Sequence, residues 1–489
     1  MILLRDLLKS VDILTYMGDL NKKISGINFD SRKIKENNCF IAIKGFKNDG
    51  LNYLEEAIEK GANSIISQNK PFKRNRDITC VQVKNDRKAL NQIASKFYNN
   101  PTERMNIIGV TGTNGKTTVT SIINAILSKN EKTAKIGTLG MSYEDIFRKT
   151  ELTTPESPDI FKFLSEVEDL GCKNVVIEVS SVALKLNRVD NMNFSQCIFT
   201  SFSGDHLDFH KSMEDYFESK LKLFKNLNSN NWAIVNIDDS RSAQVLDELN
   251  CKYLTYGFSN NADIKPIKYD FSLNGIKAIV QTPKGELEIE SLLIGRVNLS
   301  NLLGAISSAL ISGISFDNII SAIKDFKPVR GRLDFTYKNN FSVLIDYAHT
   351  DNALENLLKS LREIVSQRVI LVFGAGGSRD KTKRPRMGKV ASKNADFVVV
   401  TSDNPRNEEP KNIIEDIIKG FDKDFINFKI EVEREKAIRK ALSIAEKGDC
   451  VVIAGKGHED YQIFNDRVIH FDDYEIVNKF LREKNYGKI

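Results

Sequence analysis

Residues 105–120 read MNIIGVTGTNGKTTVT, and the fold turns on how that stretch is parsed. Ile107-Ile108-Gly109-Val110 is a short apolar run, the pattern of a buried strand. Thr111-Gly112-Thr113-Asn114-Gly115-Lys116-Thr117-Thr118 follows, and beyond it Val119, Ile122, Ile123, Ile126 and Leu127 recur at helical spacing. Strand, glycine loop and helix, in that order, are the setting of a phosphate-binding loop. The glycines let backbone N–H groups close around phosphate oxygens, and the helix N-terminus adds its positive dipole at the same place. In such a loop Lys116 reaches the β- and γ-phosphates and the Thr117 hydroxyl ligates Mg²⁺. The strict pattern has Gly at position 110, where this chain has Val110.

Bulk numbers bound the rest. The chain has 489 residues, room for about three domains at ~150 residues each. Apolar residues make up 41% and charged residues 28%, the balance of an ordinary soluble protein with ample core. Basic residues number 71 against 65 acidic; the net charge of +6 is small and spread along the chain, weak support for nucleic-acid binding. The six cysteines, at 39, 80, 172, 197, 251 and 450, form no CxxC pair and no ligand spacing. They read as buried or free thiols in a reducing compartment. The opening MILLRDLLKSVDIL holds Arg5 and Asp6 inside its apolar stretch, and Leu3, Leu4, Leu7 and Leu8 fit an amphipathic helix better than a signal peptide. No apolar run approaches ~18 residues, so no membrane span is expected and the cytoplasm is the expected location.

Pro101 breaks the chain just ahead of the glycine loop and places a boundary near residue 100. Before it, strand-like Cys39–Ile43, Ser64–Ser67 and Ile78–Val83 alternate with helix-like Leu54–Lys60 and Arg87–Tyr98. The polar clusters Asp30-Ser31-Arg32 and Gly45-Phe46-Lys47-Asn48-Asp49-Gly50 fall in its loops. From 101 to 330 the glycine-loop unit continues through a strand at Lys135–Leu139, a helix at Asp159–Leu170 and a strand at Asn174–Val179 that is apolar except for Glu178. A carboxylate closing an apolar strand wants a cation or a donor, because an unpaired buried charge is costly. His206, Asp208 and His210 lie close together further on. Turn signals at Asn274-Gly275 and Pro283-Lys284-Gly285 divide 265–293 into β-hairpins, and the helix Asn298–Ser312 carries Asn298 and Asn301 on nearly one face.

From 331 to 489, strands at Ser342–Ile345, Arg368–Phe373, Phe397–Thr401 and Cys450–Ala454 alternate with helices at Leu354–Val365, Lys389–Asn394, Asn412–Gly420 and Glu435–Lys447. Such alternation implies a parallel sheet with helices on both faces and ligands beyond the C-terminal strand ends. Those ends carry three charged loops: Gly374–Asp380, Ser402–Arg406 and Gly455–Asp460. The expected fold is therefore α/β in three domains: a central P-loop ATPase-type sheet with helices at 101–330, flanked by an N-terminal α/β domain at 1–100 and a C-terminal Rossmann-like α/β domain at 331–489.

The loop Gly109-x-Thr111-Gly112-Thr113-Asn114-Gly115-Lys116-Thr117-Thr118 resembles the ATP loop of the Mur ligases, the ATP-dependent amide ligases of peptidoglycan precursor synthesis. The resemblance runs through all three segments. Asp403-Asn404-Pro405-Arg406 is similar to the recognition motif of the members that add diaminopimelate; lysine-adding relatives have no Arg at its last position. Diaminopimelate differs from lysine by a distal carboxylate, for which Arg406 offers a bidentate fork. The resemblance implies an enzyme that joins meso-2,6-diaminopimelate to UDP-N-acetylmuramoyl-L-alanyl-D-glutamate, with ATP as co-substrate and Mg²⁺ as cofactor. It implies a cytoplasmic monomer with no nucleic-acid or membrane partner, and makes 1–100 the nucleotide-sugar domain.

The same resemblance assigns residues. Gly112, Thr113, Asn114, Gly115, Lys116, Thr117 and Thr118 hold ATP, with Asn298, Asn301, Arg332, Asp346 and His349 lining its site. Thr117, Glu178 and His206 hold Mg²⁺. Lys220 is the lysine that CO₂ carbamylates, which turns a cation into an anion for a second Mg²⁺; Lys116, Glu178, His206 and Lys220 make up the catalytic group. Phe29, Ser31, Phe46, Lys47 and Asn48 match the UDP-binding positions, and Thr153, Thr154, Ser180 and Arg188 those that contact the muramoyl dipeptide. Arg379, Asp403, Asn404, Pro405, Arg406, Gly455 and Glu459 match the diaminopimelate contacts, with Glu459 taking the distal ammonium. One departure is Val182, where the family often has His after the two serines. Folylpolyglutamate synthetases share the central domain and the ligase chemistry but lack the first domain and the Asp-Asn-Pro-Arg loop. A nucleotide-gated switch is disfavoured by the absence of an Asn-Lys-x-Asp motif.

Overall fold

The computed structural model describes residues 1–45, 48–70 and 77–486; Phe46 and Lys47 lie outside the described residues. Its central sheet has eight strands. Thr133–Gly137, Asn174–Glu178, Asn106–Thr111, Phe194–Phe199, Trp232–Asn236 and Lys252–Tyr256 lie side by side and parallel, and Gly140–Tyr143 and Ile146–Arg148 extend one edge antiparallel. The chain leaves Asn106–Thr111 toward one side of the sheet and later takes up Phe194–Phe199 on the other, so the glycine loop opens at a switch point, where loops diverge and leave a crevice. Register puts Glu178 beside Val110 and Phe199 beside Thr111, which brings the carboxylate, the start of the loop and the segment after 199 to one sheet edge.

Alternation along each strand feeds two cores. Ile108, Val110, Val176 and Ile198 pack beneath the helices Lys116–Leu127 and Gly295–Ile311. Ile107, Ile177, Cys197 and Phe199 face the helices Ser157–Asp169 and Met213–Lys225. Each such side chain stabilises the fold by roughly 1.5–3 kcal/mol on full burial. Because both faces are covered, the strands are near-continuous apolar runs, and Glu178 stands out against them.

The antiparallel strands Lys265–Ser272, Gly275–Thr282 and Gly285–Ser291 form a small separate sheet, turning at Leu273-Asn274 and Pro283-Lys284. Toward the C-terminus, Asp334–Lys338, Ser342–Asp346, Cys450–Ala454, Val369–Phe373, Phe397–Val400 and Phe428–Ile430 form a six-stranded sheet, parallel except at the first strand. At the N-terminus Ile13–Met17, Thr79–Val83, Ala62–Ser67, Asn38–Ala42 and Gly26–Asn28 form a five-stranded sheet in which Ile13–Met17 alone runs antiparallel. The structure is thus three α/β units in sequence.

The opening segment departs from the sequence expectation. The opening amphipathic helix is a single turn, Leu4–Leu7, and Ile13–Met17 is an exposed edge strand. Four residues cannot repay helix nucleation on their own. Burial of Leu4, Leu7 and Leu8 holds the turn, and the free edge of Thr79–Val83 offers hydrogen bonds to the β-favouring Ile13, Thr15 and Tyr16. Among the described residues, no helix is long and apolar enough to cross a membrane.

Candidate functional site

The glycine loop is tied down on its far side. Thr113 N–H donates to the Ser201 carbonyl at 2.7 Å and Asn114 N–H to Ser201 Oγ at 3.0 Å. Gly112 has φ +148°, and a Cβ there would sit 1.9 Å from Thr200 Oγ1, so no larger residue fits without moving the loop. Lys116 Nζ folds back to donate to the Gly112 and Thr113 carbonyls at 2.8 and 2.9 Å. Burial lowers the pKa of its ammonium, against the opposing pull of Glu178 and Asp205.

Lys220 approaches from the helix Met213–Lys225 and donates to the same Gly112 carbonyl at 2.8 Å, with its Nζ 4.5 Å over the Tyr216 ring. It is 1% exposed, and burial, reinforced by the Lys116 charge, pushes its pKa well down. A buried Lys220 sharing one carbonyl with the half-buried Lys116 favours its own neutral amine, which is the form that adds to CO₂.

Glu178 is 2% exposed but fully partnered. Its Oε2 accepts from Thr117 Oγ1 at 2.8 Å and Thr138 Oγ1 at 3.2 Å, and its Oε1 accepts from Thr138 N–H at 2.8 Å. His206 has a left-handed backbone (φ +54°), and Asp205 Oδ1 accepts its N–H at 2.8 Å. Burial lowers the pKa of the His206 imidazole. Burial of Asp205 is outweighed by His206, His349 and Lys383, which hold its carboxylate below the ordinary range. His210 takes a different place: its Nε2 lies 3.0 Å from Ser181 Oγ, beneath the surface, and burial pushes its pKa down to about 4.

The loop, Glu178, Asp205, His206 and Lys220 open on one cavity of about 680 Å³, which His210 does not line. Thr113–Thr118, Glu178, His206 and Lys220 line it from the central unit; Arg332, Asp346, His349 and Arg379 line it from the C-terminal unit; Asn298, Asn301, Thr153, Ser180 and Arg188 complete the wall. Arg332 Nη2 donates to Thr117 Oγ1 at 3.4 Å, and its guanidinium lies 4.5 Å over the Tyr347 ring. Asp346 accepts from Leu333 N–H at 2.6 Å and Ala348 N–H at 2.7 Å, so it also pins the two loops that carry Arg332 and His349. Asn301 donates to Asn298 Oδ1 at 3.1 Å.

On the Thr153 side, Thr154 Oγ1 donates to the Glu178 carbonyl at 2.8 Å and accepts from Ser180 N–H at 3.0 Å. Arg188 meets Glu156 at 2.8 Å and donates to the Thr154 carbonyl at 3.0 Å; Arg87 reaches the same Glu156 at 3.2 Å. Ser31 Oγ donates to Glu56 Oε2 at 2.6 Å. Phe29, Ser31 and Asn48 do not line the chamber.

Arg379 reaches across to Asp208 at 2.8 Å. Asp403, Asn404, Pro405, Arg406, Gly455 and Glu459 do not line this chamber. Asn404 Nδ2 donates to Glu459 Oε2 at 2.9 Å, Lys456 Nζ approaches the same oxygen at 3.1 Å, and Arg406 Nη1 donates to the Gly377 carbonyl at 3.0 Å. Burial of Asp403 is outweighed by Lys456 and Arg434, which hold its carboxylate below the ordinary range. Tyr347 joins the two regions: it lines the chamber, and its hydroxyl donates to Glu459 Oε1 at 3.5 Å.

Thr138, Tyr347, Glu156 and Lys456 were not expected from sequence. Tyr347 stands between Asp346 and His349, and Lys456 lies three residues before Glu459, so adjacency was a usable signal for both. Nothing in the sequence marks Thr138, because its pairing with Glu178 comes from strand order.

Among the described residues, no three His, Cys, Asp or Glu gather as a metal-ligand group. The donor set nevertheless suits Mg²⁺, which is usually bound by one or two carboxylates with substrate phosphates and water completing the shell.

Three family models cover most of the chain: "Mur ligase family, catalytic domain" at residues 23–98, "Mur ligase middle domain" at 110–309 and "Mur ligase, glutamate ligase domain" at 331–457. The chain belongs to the Mur ligase family. It is 45% identical to the UDP-N-acetylmuramoyl-L-alanyl-D-glutamate–2,6-diaminopimelate ligase of Caldanaerobacter subterraneus, over 98% of both chains. It is 41% identical to the enzyme of that name from Clostridium tetani, over 98% of this chain and 99% of the other. A solved structure of a ligase with the same name superposes with a TM-score of 0.69 at 29% identity, covering 99% of this chain and all of the other.

Proposed function

We propose that this chain is the ATP-dependent ligase that joins meso-2,6-diaminopimelate to the D-Glu γ-carboxylate of UDP-N-acetylmuramoyl-L-alanyl-D-glutamate. The observation that carries the reading is the shared chamber, on which the glycine loop, Glu178, His206, Lys220, Arg332 and Arg379 all open. ATP transfers its γ-phosphoryl group to the carboxylate and leaves as ADP; a neutral amine of diaminopimelate attacks the acyl phosphate, and the tetrahedral intermediate loses phosphate and a proton to give the amide. In this reading residues 1–100 hold the UDP-sugar, 101–330 ATP and 331–489 the amino acid, in a cytoplasmic monomer.

Lys116 leaves its loop carbonyls for the phosphoryl oxygens, and Arg332, already at Thr117, approaches the same charge. Thr117, Glu178 and His206 would hold Mg²⁺, and Lys220 as a carbamate a second ion; Mg²⁺, when bound, neutralises charge on the transferring phosphoryl group. Thr138 keeps Glu178 oriented. Arg188 and Thr153 orient the dipeptide, and apposition of the C-terminal unit keeps water from the acyl phosphate. Arg406 and Arg379 take the distal carboxylate and Glu459 the distal ammonium.

The test is phosphate release with ATP, Mg²⁺ and UDP-N-acetylmuramoyl-L-alanyl-D-glutamate, offered meso-diaminopimelate or L-lysine in parallel. Diaminopimelate is expected to be strongly preferred. A preference for lysine, or turnover stimulated by nucleic acid instead of an amine, overturns the reading.

A further inference from the structure

The loops bearing the two guanidinium forks are held together from behind. Ser378 and Arg406 both adopt left-handed backbones, each at φ +53°. For a residue with a Cβ that conformation is strained, and it persists only where surroundings over-determine it. The two segments also touch backbone to backbone: a Cβ on Gly377 would lie 1.8 Å from the Pro405 carbonyl oxygen.

Glu408 lies two residues beyond Arg406, and its N–H donates to the Pro405 carbonyl at 3.1 Å. Its Oε1 accepts the Ser378 N–H at 2.6 Å. Its carboxylate also receives Arg384 Nη2 at 2.8 Å and Nη1 at 3.0 Å, and Lys381 Nζ at 3.2 Å. Arg384 is fully buried, at 0% exposure, in the first turn of the helix Lys383–Asn394. It donates onward to Asp416 at 3.1 Å and to the Gly376 carbonyl at 3.4 Å. Glu408 and Arg384 therefore grip Gly376-Gly377-Ser378 at both ends. Arg379 follows that segment directly, and the segment's Gly377 carbonyl accepts from Arg406.

We propose that Glu408 and Arg384 form a positioning pair that sets the spacing of the Arg379 and Arg406 forks, and so the affinity for an amino acid with a distal carboxylate. Neither residue lines the chamber, and both act through the backbone of the Gly376–Ser378 segment. The proposal rests on the function given above.

The test compares Glu408→Ala and Glu408→Gln with wild type. A charge-assisted hydrogen bond contributes enough that its loss is worth about 10-fold or more. Glu408→Ala is expected to raise KM for meso-diaminopimelate by at least ~10-fold and to leave the KM values for ATP and the UDP-sugar within ~2-fold. Glu408→Gln keeps an acceptor for Ser378 N–H but loses the charge facing Arg384, so its KM for meso-diaminopimelate is expected to rise by only ~2–3-fold. A folded Glu408→Ala enzyme with unchanged KM for diaminopimelate, or with all three KM values raised alike, overturns the proposal. Should the alanine variant not fold, Glu408→Gln decides: a ~2–3-fold rise confined to the amino acid supports the pair, and no rise refutes it. Wild type that ignores diaminopimelate but uses another amino acid refutes the substrate reading instead, and the same comparison is then run with that amino acid.

Discussion

Lys220 is buried against the Gly112 carbonyl and the Tyr216 ring, with a second lysine on the same oxygen. A permanent cation is poorly placed there, whereas a carbamate would exchange repulsion from Lys116 for attraction. Lys220→Ala is expected to be nearly inactive and to regain part of its rate when short carboxylic acids are added. An unmodified Lys220, by intact mass and diffraction at ample bicarbonate in an active enzyme, would sink the carbamate. Arg406 poses a sharper question, since its Nη1 already holds the Gly377 carbonyl. If its free edge also takes the substrate carboxylate, Arg406→Ala loses a buried charge-assisted pair, on the order of 2–5 kcal/mol, or ~30-fold and upward in kcat/KM for diaminopimelate. L-Lysine kcat/KM should fall much less. Equal losses with both amino acids would leave Arg406 as a brace for the loop alone.

Two elements set how rigid the site is. In the glycine loop, Gly112→Ala would drive a Cβ into Thr200 and the Ser201 backbone. The strand–loop–helix must then re-form around that clash, and kcat should fall by ~100-fold or more, in line with the cost of a misplaced reacting group. Retained kcat in that variant would show that the loop is free to adjust. In the C-terminal unit, Arg384 links the Lys383–Asn394 helix to Glu408 and, through Asp416, to the helix Pro410–Ile418. The hydrogen bonds from Arg384 hold the Glu408 pKa at about 2, against an ordinary 4.5. The folded value is depressed, so this stabilisation is fully present above pH 4.5 and is lost as pH falls toward 2; it amounts to at most about 3 kcal/mol. Glu408→Gln should therefore lower Tm at pH 7, with the gap to wild type narrowing below pH 4.5 and closing only toward pH 2. A constant Tm gap across that range would remove the charge from the account.

At the scale of the molecule, the contacts that join the central and C-terminal units around the chamber, among the described residues, include His349–Asp205 at 3.9 Å, Asn114–Asn352 at 3.2 Å, Arg332–Thr117 at 3.4 Å and Arg379–Asp208 at 2.8 Å. The last occupies a residue proposed to bind substrate. Its arginine side chain is 53% exposed, and such pairs are worth about 0–1 kcal/mol. Asp208→Asn is accordingly expected to change KM for diaminopimelate by less than ~5-fold. A change beyond ~30-fold would make the pair a gate that substrate must open.

Periodicity alone was enough for the strands Asn106–Thr111, Asn174–Glu178, Val369–Phe373 and Cys450–Ala454, the glycine loop and its helix, and the hairpins expected at 265–293, because these are local patterns of burial and turn chemistry; the parallel strands Trp232–Asn236 and Lys252–Tyr256 were not expected. The loop clusters at 374–380, 402–406 and 455–460 could be read as neighbours, since parallel β/α alternation puts successive strand ends on one side. Other features required the tertiary structure. The opening helix shrank to a turn because a sheet edge claimed Ile13–Met17. The strands Asp334–Lys338 and Phe428–Ile430 are defined by the partners they pair with. Thr138 reached Glu178, Tyr347 reached Glu459 and Glu408 reached Ser378 through strand order and loop packing. Which residues carry the chemistry is written in residue type and spacing; which residues hold them at the right distance depends on contacts between segments far apart in the chain, and those exist only once the sheets have formed.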